Sequence, residues 1–251
     1  MHAGFCRLLG VLDSVHLAFD LLAYTVALVT FKVCSAMFPV ARSPIPSGFG
    51  LFYLVVASSG AMIGSFALGT VNVVLAGVEA TLAKSVLGAL IGGTVAIELM
   101  KWRYQIKGST GALLVPGIAL GIAVGRIGCF YAGLNDYTYG TPTSLAMGVD
   151  FGDGIQRHPV QLYEAIALVL FLIGYLRLLA LRRGAALAWG FYLFCGFYGA
   201  QRFAWEFLKP YPTVLAGMNI FQFGCVALVG YAAVQFRLSR HLSTGDRYES
   251  A

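Results

Sequence analysis

Charge is scarce in this chain. Asp, Glu, Lys and Arg make up 11% of its 251 residues, against roughly 25% in a soluble domain, and its mean hydropathy is +0.78. That balance excludes a water-soluble globule. Short strands of alternating polarity are also missing, which excludes a membrane β-barrel. The five cysteines (Cys6, Cys34, Cys129, Cys195 and Cys225) stand singly, without the paired spacing of a metal or redox motif. Their odd number rules out a complete disulfide framework, and four of them lie in apolar stretches, where free Cys behaves as a small hydrophobe. The formal net charge is +6, yet no basic stripe interleaves with aromatics, so nucleic acid is not an expected partner. Near Arg7 no small-residue cleavage site follows a short apolar run, so no removable signal peptide is expected.

Long hydrocarbon runs are what the chain has in place of charge. About 20 apolar residues cross a bilayer as a helix, and runs of that kind fall near 15–38, 49–74, 85–100, 113–130, 158–179, 185–207 and 215–236. The expected fold class is therefore an all-α integral membrane protein with about seven transmembrane helices, a single domain over 1–251. Its 31 glycines suit close helix packing in lipid. The segment 42–48 reads as a turn, and Pro159 is expected one or two residues into the fifth helix, where its missing N–H costs nothing. Lys32, Arg42, Lys101, Arg103, Lys107, Arg177, Arg182, Arg183, Arg237, Arg240 and Arg247 would share one side of the membrane. Arg7, Lys84, Arg157 and Lys209 are left for the other. Cytoplasmic loops carry the excess of Lys and Arg, so the N-terminus and the polar loop between the fourth and fifth helices are expected outside, the C-terminus inside.

Polar residues within the apolar runs mark function by default, because charge there is expensive. The stretch from Gly117 to Glu164 concentrates them: a glycine ladder (Gly117, Gly121, Gly125), then Arg126, Gly128 and Cys129, a polar loop, and Arg157-His158-Pro159-Val160-Gln161-Leu162-Tyr163-Glu164. Arg126 alone reads equally as a cation snorkelling to the interface. Tyr198, Arg202 and Glu206 recur at helical spacing and share a face, where Arg202 and Glu206 would at least neutralise each other. Two guanidiniums approaching one polar loop suit a phosphate, which accepts paired N–H bonds from Arg. His158 would cap the fifth helix or titrate near neutral pH; lacking a second ligand at metal spacing, it does not read as a zinc site. His16 and Asp20 form another polar pair near the outer end of the first helix.

These residues resemble the prolipoprotein diacylglyceryl transferase family over roughly the third to seventh helices. The resemblance rests on Gly125-Arg126-Ile127-Gly128-Cys129-Phe130 with Tyr139-Gly140, on the run from Arg157 to Glu164, and on Tyr198-Gly199-Ala200-Gln201-Arg202-Phe203-Ala204-Trp205-Glu206-Phe207 with Gln222. It implies an enzyme of the bacterial inner membrane, needing no cofactor or metal, whose site opens to the outer side. The family moves the diacylglyceryl group of phosphatidylglycerol onto the cysteine thiol of a prolipoprotein and releases glycerol phosphate. Carried over, Arg126, Arg202, Glu206 and Tyr198 become catalytic residues. Gly128, Gly140, His158, Gln161, Tyr163, Glu164 and Gln222 become substrate-binding ones, and His16 with Asp20 stands as a possible base. Fixed cations aimed at the departing phosphate lower the barrier and depress the acceptor thiol's pKa from about 8.5.

The chain departs from the family's pattern at several points. The family's His-Gly-Gly at the third helix is Leu87-Gly88-Ala89 here, its Asn after Gly-Arg-x-Gly is Cys129, and the following Asn-Gly-Glu is Ala132-Gly133-Leu134. Its second-helix Gly-Arg is Gly64-Ser65, and its first-helix Tyr is lost. The phosphate-facing residues remain while acceptor-side ones change. That asymmetry leaves three readings: the family's own reaction, a paralogue using another acceptor, or a non-catalytic phospholipid-binding protein. A channel or transporter lacks the paired interrupted helices it would need.

Overall fold

In lipid a backbone must satisfy its own hydrogen bonds, and a helix does so within one segment. The structure, a computed structural model, describes residues 14–39, 45, 48–77 and 82–242. Among them are seven long helices: α1 (Ser14–Met37), α2 (Gly50–Leu75), α3 (Val86–Arg103), α4 (Val115–Ala132), α5 (Val160–Leu181), α6 (Arg183–Glu206) and α7 (Ile220–Leu242). Five of them contain stretches long and apolar enough to cross a membrane: His16–Met37, Gly50–Leu75, Ala112–Ala132, Val160–Leu181 and Ile220–Ser239. α3 carries three charges, Glu98, Lys101 and Arg103, in its 18 residues, and α6 is diluted by glycine, tyrosine, tryptophan and Gln201 along its uncharged stretch 184–201. Cys6, Arg7, most of the turn at 42–48, and Arg247 lie outside the described residues.

The ends of the helices correct several expectations. Pro159 stands just ahead of α5, not inside it, and its carbonyl accepts from Leu162 and Tyr163 N–H. α3 runs on through Lys101 and Arg103, placing both cations at the negative end of the helix dipole. α7 begins at Ile220 rather than near 215, because Leu215 and Met218 pair as a tight bridge. A reciprocal cap follows: Asn219 Oδ1 accepts from Gln222 N–H at 3.0 Å and Gln222 Oε1 from Asn219 N–H at 2.9 Å, a capping box.

The chain clusters into two compact units. The first joins residues 14–37, 113–177 and 204–211. In it the glycine ladder lets α4 lie directly against α1: a Cβ on Gly117 would come within 2.5 Å of the Ala27 carbonyl oxygen, and one on Gly121 within 3.1 Å of Ala27 Cβ. The second unit, 38–112, 178–203 and 212–242 among the described residues, is built on a comparable contact. Gly60 and Gly64 of α2 meet Gly88 and Gly92 of α3 so closely that any added Cβ would run into backbone. Leu87 is wholly buried beside Gly224 of α7.

The polar loop between α4 and α5 is ordered. A short hairpin pairs β1 (Val149–Asp150) with β2 (Gln156–Arg157). Asp150 Oδ1 accepts from the N–H groups of Gly152, Asp153 and Gly154, closing a turn in which Gly152 and Gly154 take positive φ. Arg157 Nη1 donates to Asp153 Oδ1 at 2.6 Å. This bond holds the Asp153 carboxyl below its ordinary range, so the contact stabilises the hairpin above the unfolded pKa of about 3.9 and is lost as pH falls through the lower folded value. A carboxyl-carbon NMR titration is expected to place the Asp153 midpoint below ~3.9 and to return it there in Arg157→Ala. A midpoint at or above that value in the unaltered protein would refute the assignment.

Candidate functional site

Arg126 lies in the penultimate turn of α4 and is 4% exposed. A buried charge is costly unless it is paired, so its partner decides what it can do. That partner is Glu164, in the first turns of α5, whose Oε2 is 2.5 Å from Arg126 Nε. The other carboxylate oxygen, Oε1, takes Lys209 Nζ at 2.5 Å, and Lys209 reaches Glu206 Oε1 at 3.5 Å. All four side chains are almost wholly buried. Lys209 had been expected in an outer loop; it is a buried member of the network. One sequence signal could have found it: a Lys three residues beyond a Glu, immediately before a helix-ending Pro.

Gln161 precedes Glu164 by one turn and is completely buried. Its amide nitrogen and oxygen both lack a hydrogen-bond partner among the described residues, an expensive state for a buried amide. Trp205 Nε1 is in the same condition, and its ring packs 5.4 Å from that of Tyr163. The His158 ring does not cap α5 as expected. Its Nδ1 lies 3.4 Å from Tyr163 Oη, Tyr163 in turn donates to Met147 Sδ, and the His158 carbonyl accepts from Gly140 and Val160 N–H. Gly140 has to be glycine, since a Cβ there would run into that carbonyl oxygen. Gly128 is similarly constrained, 2.5 Å from Phe19 Cβ for any added Cβ.

His16 meets Asp136, its Nε2 2.9 Å from Asp136 Oδ1, a partner that helical spacing did not suggest; Asp20 lies one turn further along α1. Cys129 Sγ is 3.9 Å from Arg126 Nη1. His16, Cys129 and Asp136 each offer a ligand atom within 4.8 Å of the other two. Arg126, Glu164, Gln161, His158, Tyr163, Gly128, Gly140, Glu206, His16 and Asp20 thus belong to the first unit.

The second unit holds the remaining expected residues. Arg202 is 3% exposed, with its guanidinium 5.7 Å from the Phe221 ring, a cation–π contact. Tyr198 is wholly buried, one turn from Phe194. Gln222 spends its oxygen in the α7 cap and keeps Nε2 without a partner among the described residues.

A family model described as prolipoprotein diacylglyceryl transferase matches residues 51–237. The chain belongs to this family. It is 35% identical over 135 residues to the phosphatidylglycerol–prolipoprotein diacylglyceryl transferase of Clostridium tetani, covering 51% of this chain and 52% of that one. To the enzyme of the same name from Geobacter sulfurreducens it is 34% identical over 137 residues, 53% and 48% of the two chains. With that of Cupriavidus pinatubonensis the figures are 32% over 174 residues, 63% and 60%. The chain spans about half the length of the curated relatives it matches. No solved structure matches it.

Glu164 is in contact with two buried cations, so neutralising it takes the carboxylate from Arg126 and leaves Lys209 the more distant Glu206. Glu164→Gln is expected to destabilise the protein by about 3–5 kcal/mol, the usual cost of breaking a buried pair, in denaturant unfolding followed in detergent. A change under about 1 kcal/mol would show that the network contributes no more than an exposed ion pair.

Proposed function

We propose that this protein transfers the diacylglyceryl group of phosphatidylglycerol to the lipobox cysteine thiol of a prolipoprotein, at the outer face of a bacterial inner membrane. The observation that carries this reading is the Arg126 guanidinium, almost wholly buried and held by Glu164. Family membership supports it. All seven helices cross the bilayer in this proposal, α3 and α6 included, with the N-terminus and the β1–β2 loop outside and the C-terminus inside.

The chemistry follows from charge. The acceptor sulfur attacks the glycerol carbon that bears the phosphate ester. A C–S bond forms, the C–O bond breaks, and glycerol phosphate leaves with the bonding electron pair. Arg126 and Arg202 neutralise that phosphate as its charge develops, the kind of fixed electrostatic help that contributes most in a dry site. Glu164 holds Arg126 in position, and Lys209 keeps the carboxylate from cancelling the guanidinium's charge. Gln161 supplies an amide without a partner among the described residues, a donor and acceptor for the glycerol headgroup. Glu206 and Tyr198 flank Arg202 on one helix face, Gln222 offers its Nε2, and His158 with Tyr163 walls the headgroup pocket. Deprotonation of the acceptor belongs to the His16 end of the site, with Asp20 one turn away.

Arg126→Ala and Arg202→Ala are each expected to lower transfer by on the order of 100-fold or more while still inserting into membranes. The measurement is release of glycerol phosphate from radiolabelled phosphatidylglycerol with a lipobox peptide. Undiminished release by either purified variant removes that arginine from the reaction.

A further inference from the structure

Three residues of different chemistry converge at one end of the first unit. His16 stands in the first turn of α1, Cys129 in the last turn of α4, and Asp136 at the end of the 3-10 turn Gly133–Asp136 that follows. Packing brings them together: Phe19 stacks on Tyr131 with ring centroids 5.7 Å apart, and Gly128 admits Phe19 directly against α4. One ligand atom from each of the three lies within 4.8 Å of the others, and His16 Nε2 and Asp136 Oδ1 are already 2.9 Å apart. In a tetrahedral zinc site with bonds of roughly 2.0–2.3 Å, ligand atoms sit about 3.5 Å from one another, so small side-chain adjustments suffice to close the cluster on an ion. The Thr138 hydroxyl donates to the second carboxylate oxygen of Asp136, the outer support that orients a metal-bound carboxylate.

The ligand set narrows the ion. A thiolate with an imidazole suits zinc and its neighbours, whereas calcium and magnesium require oxygen. Thiolate, carboxylate and neutral imidazole together cancel a double positive charge. Three protein ligands leave a fourth position open, the mark of a reactive site rather than a structural one. That position lies beside the phosphate-binding group, since Cys129 Sγ is 3.9 Å from Arg126 Nη1.

We infer that His16, Cys129 and Asp136 form a site for a zinc-class divalent cation, whose open position takes the acceptor thiol. The cation site stands by itself; the thiol's place in it rests on the proposed transfer. A thiol that coordinates such a cation is deprotonated outright, its proton passing to solvent. The metal-held sulfur then contributes a lone pair to the glycerol carbon, the C–O bond breaks, and glycerol phosphate departs with that bond's electrons toward Arg126. The products are a thioether, glycerol phosphate and one proton, and the cation changes no oxidation state. His16 serves as a ligand, and no separate base is required.

The test uses the full chain in detergent, stripped with a chelator and titrated with cadmium. A saturable thiolate-to-cadmium charge-transfer absorbance is expected, with one bound cadmium per chain by mass spectrometry. Cys129→Ser should lose the band, and Cys34→Ser should keep it. His16→Ala and Asp136→Asn should weaken binding by about 100-fold or more and Thr138→Val by about 10-fold. Independently of any variant, zinc should protect Cys129 of the unaltered protein from maleimide labelling. Absence of a saturable band, its survival in Cys129→Ser, or labelling indifferent to zinc would each overturn the site. In cobalt-loaded protein a lipobox peptide should add thiolate-to-cobalt intensity that its Cys→Ser counterpart does not; equal spectra would overturn the thiol's coordination. Transfer by chelator-stripped protein would overturn the thiol's coordination and leave the proposed function standing. Cation binding without any transfer would do the reverse.

Discussion

A carboxylate with no access to water organises the first unit of this protein. Glu164 receives Arg126 on one oxygen and Lys209 on the other, so three chain segments far apart in sequence are tied at a single buried point. Glu164 belongs to the start of α5, Arg126 to the end of α4, and Lys209 to the segment just past α6. None of the three charges is tolerable alone in hydrocarbon. Together they are compensated, and each then restricts where the others can be. Glu206 joins through Lys209, giving the cluster two carboxylates for two cations.

That balance bears on chemistry as well as stability. A guanidinium paired one-to-one with a carboxylate has little field left for a substrate. Sharing Glu164 with Lys209 returns part of the positive charge to Arg126 at no loss of orientation. Gln161, one turn away, is completely buried and adds a polar amide without a hydrogen-bond partner among the described residues. In the second unit Arg202 lies over the face of Phe221, where the ring quadrupole stabilises positive charge.

The ordered loop serves the same end. Its hairpin, its Asp150-centred turn and the backbone bond from Gly140 to His158 fix the chain's entry into α5, and with it the position of Glu164 two turns of backbone later. Glycines act where backbones must touch, Gly117 and Gly121 between α1 and α4, Gly64 and Gly92 between α2 and α3. In hydrocarbon, where apolar side chains gain nothing by leaving lipid, that close approach supplies the dispersion energy that holds helices together.

Much of this was legible in the amino acids. Hydrocarbon runs located the seven long helices among the described residues, five of them long and apolar enough to cross a bilayer, and errors were confined to their ends. Pro159 and the start of α7 were misplaced by a cap and a bridge, devices that depend on local geometry and leave little periodic trace. Arg126, Glu164, Gln161 and Arg202 stood out because polar groups in apolar runs are rare. Which of them would meet was beyond reach. Lys209 read as a loop cation, and the contact of His16 with Asp136 went unseen, since spacing along one helix reports only neighbours on that helix. The Glu164 clasp joins residues 38 and 45 positions apart (164 − 126 and 209 − 164), and His16 meets Cys129 and Asp136 from 113 and 120 positions away (129 − 16 and 136 − 16). Composition and periodicity determine that the chain is helical and membrane-bound; the approach of distant backbones, made possible by glycine, decides which charges compensate one another.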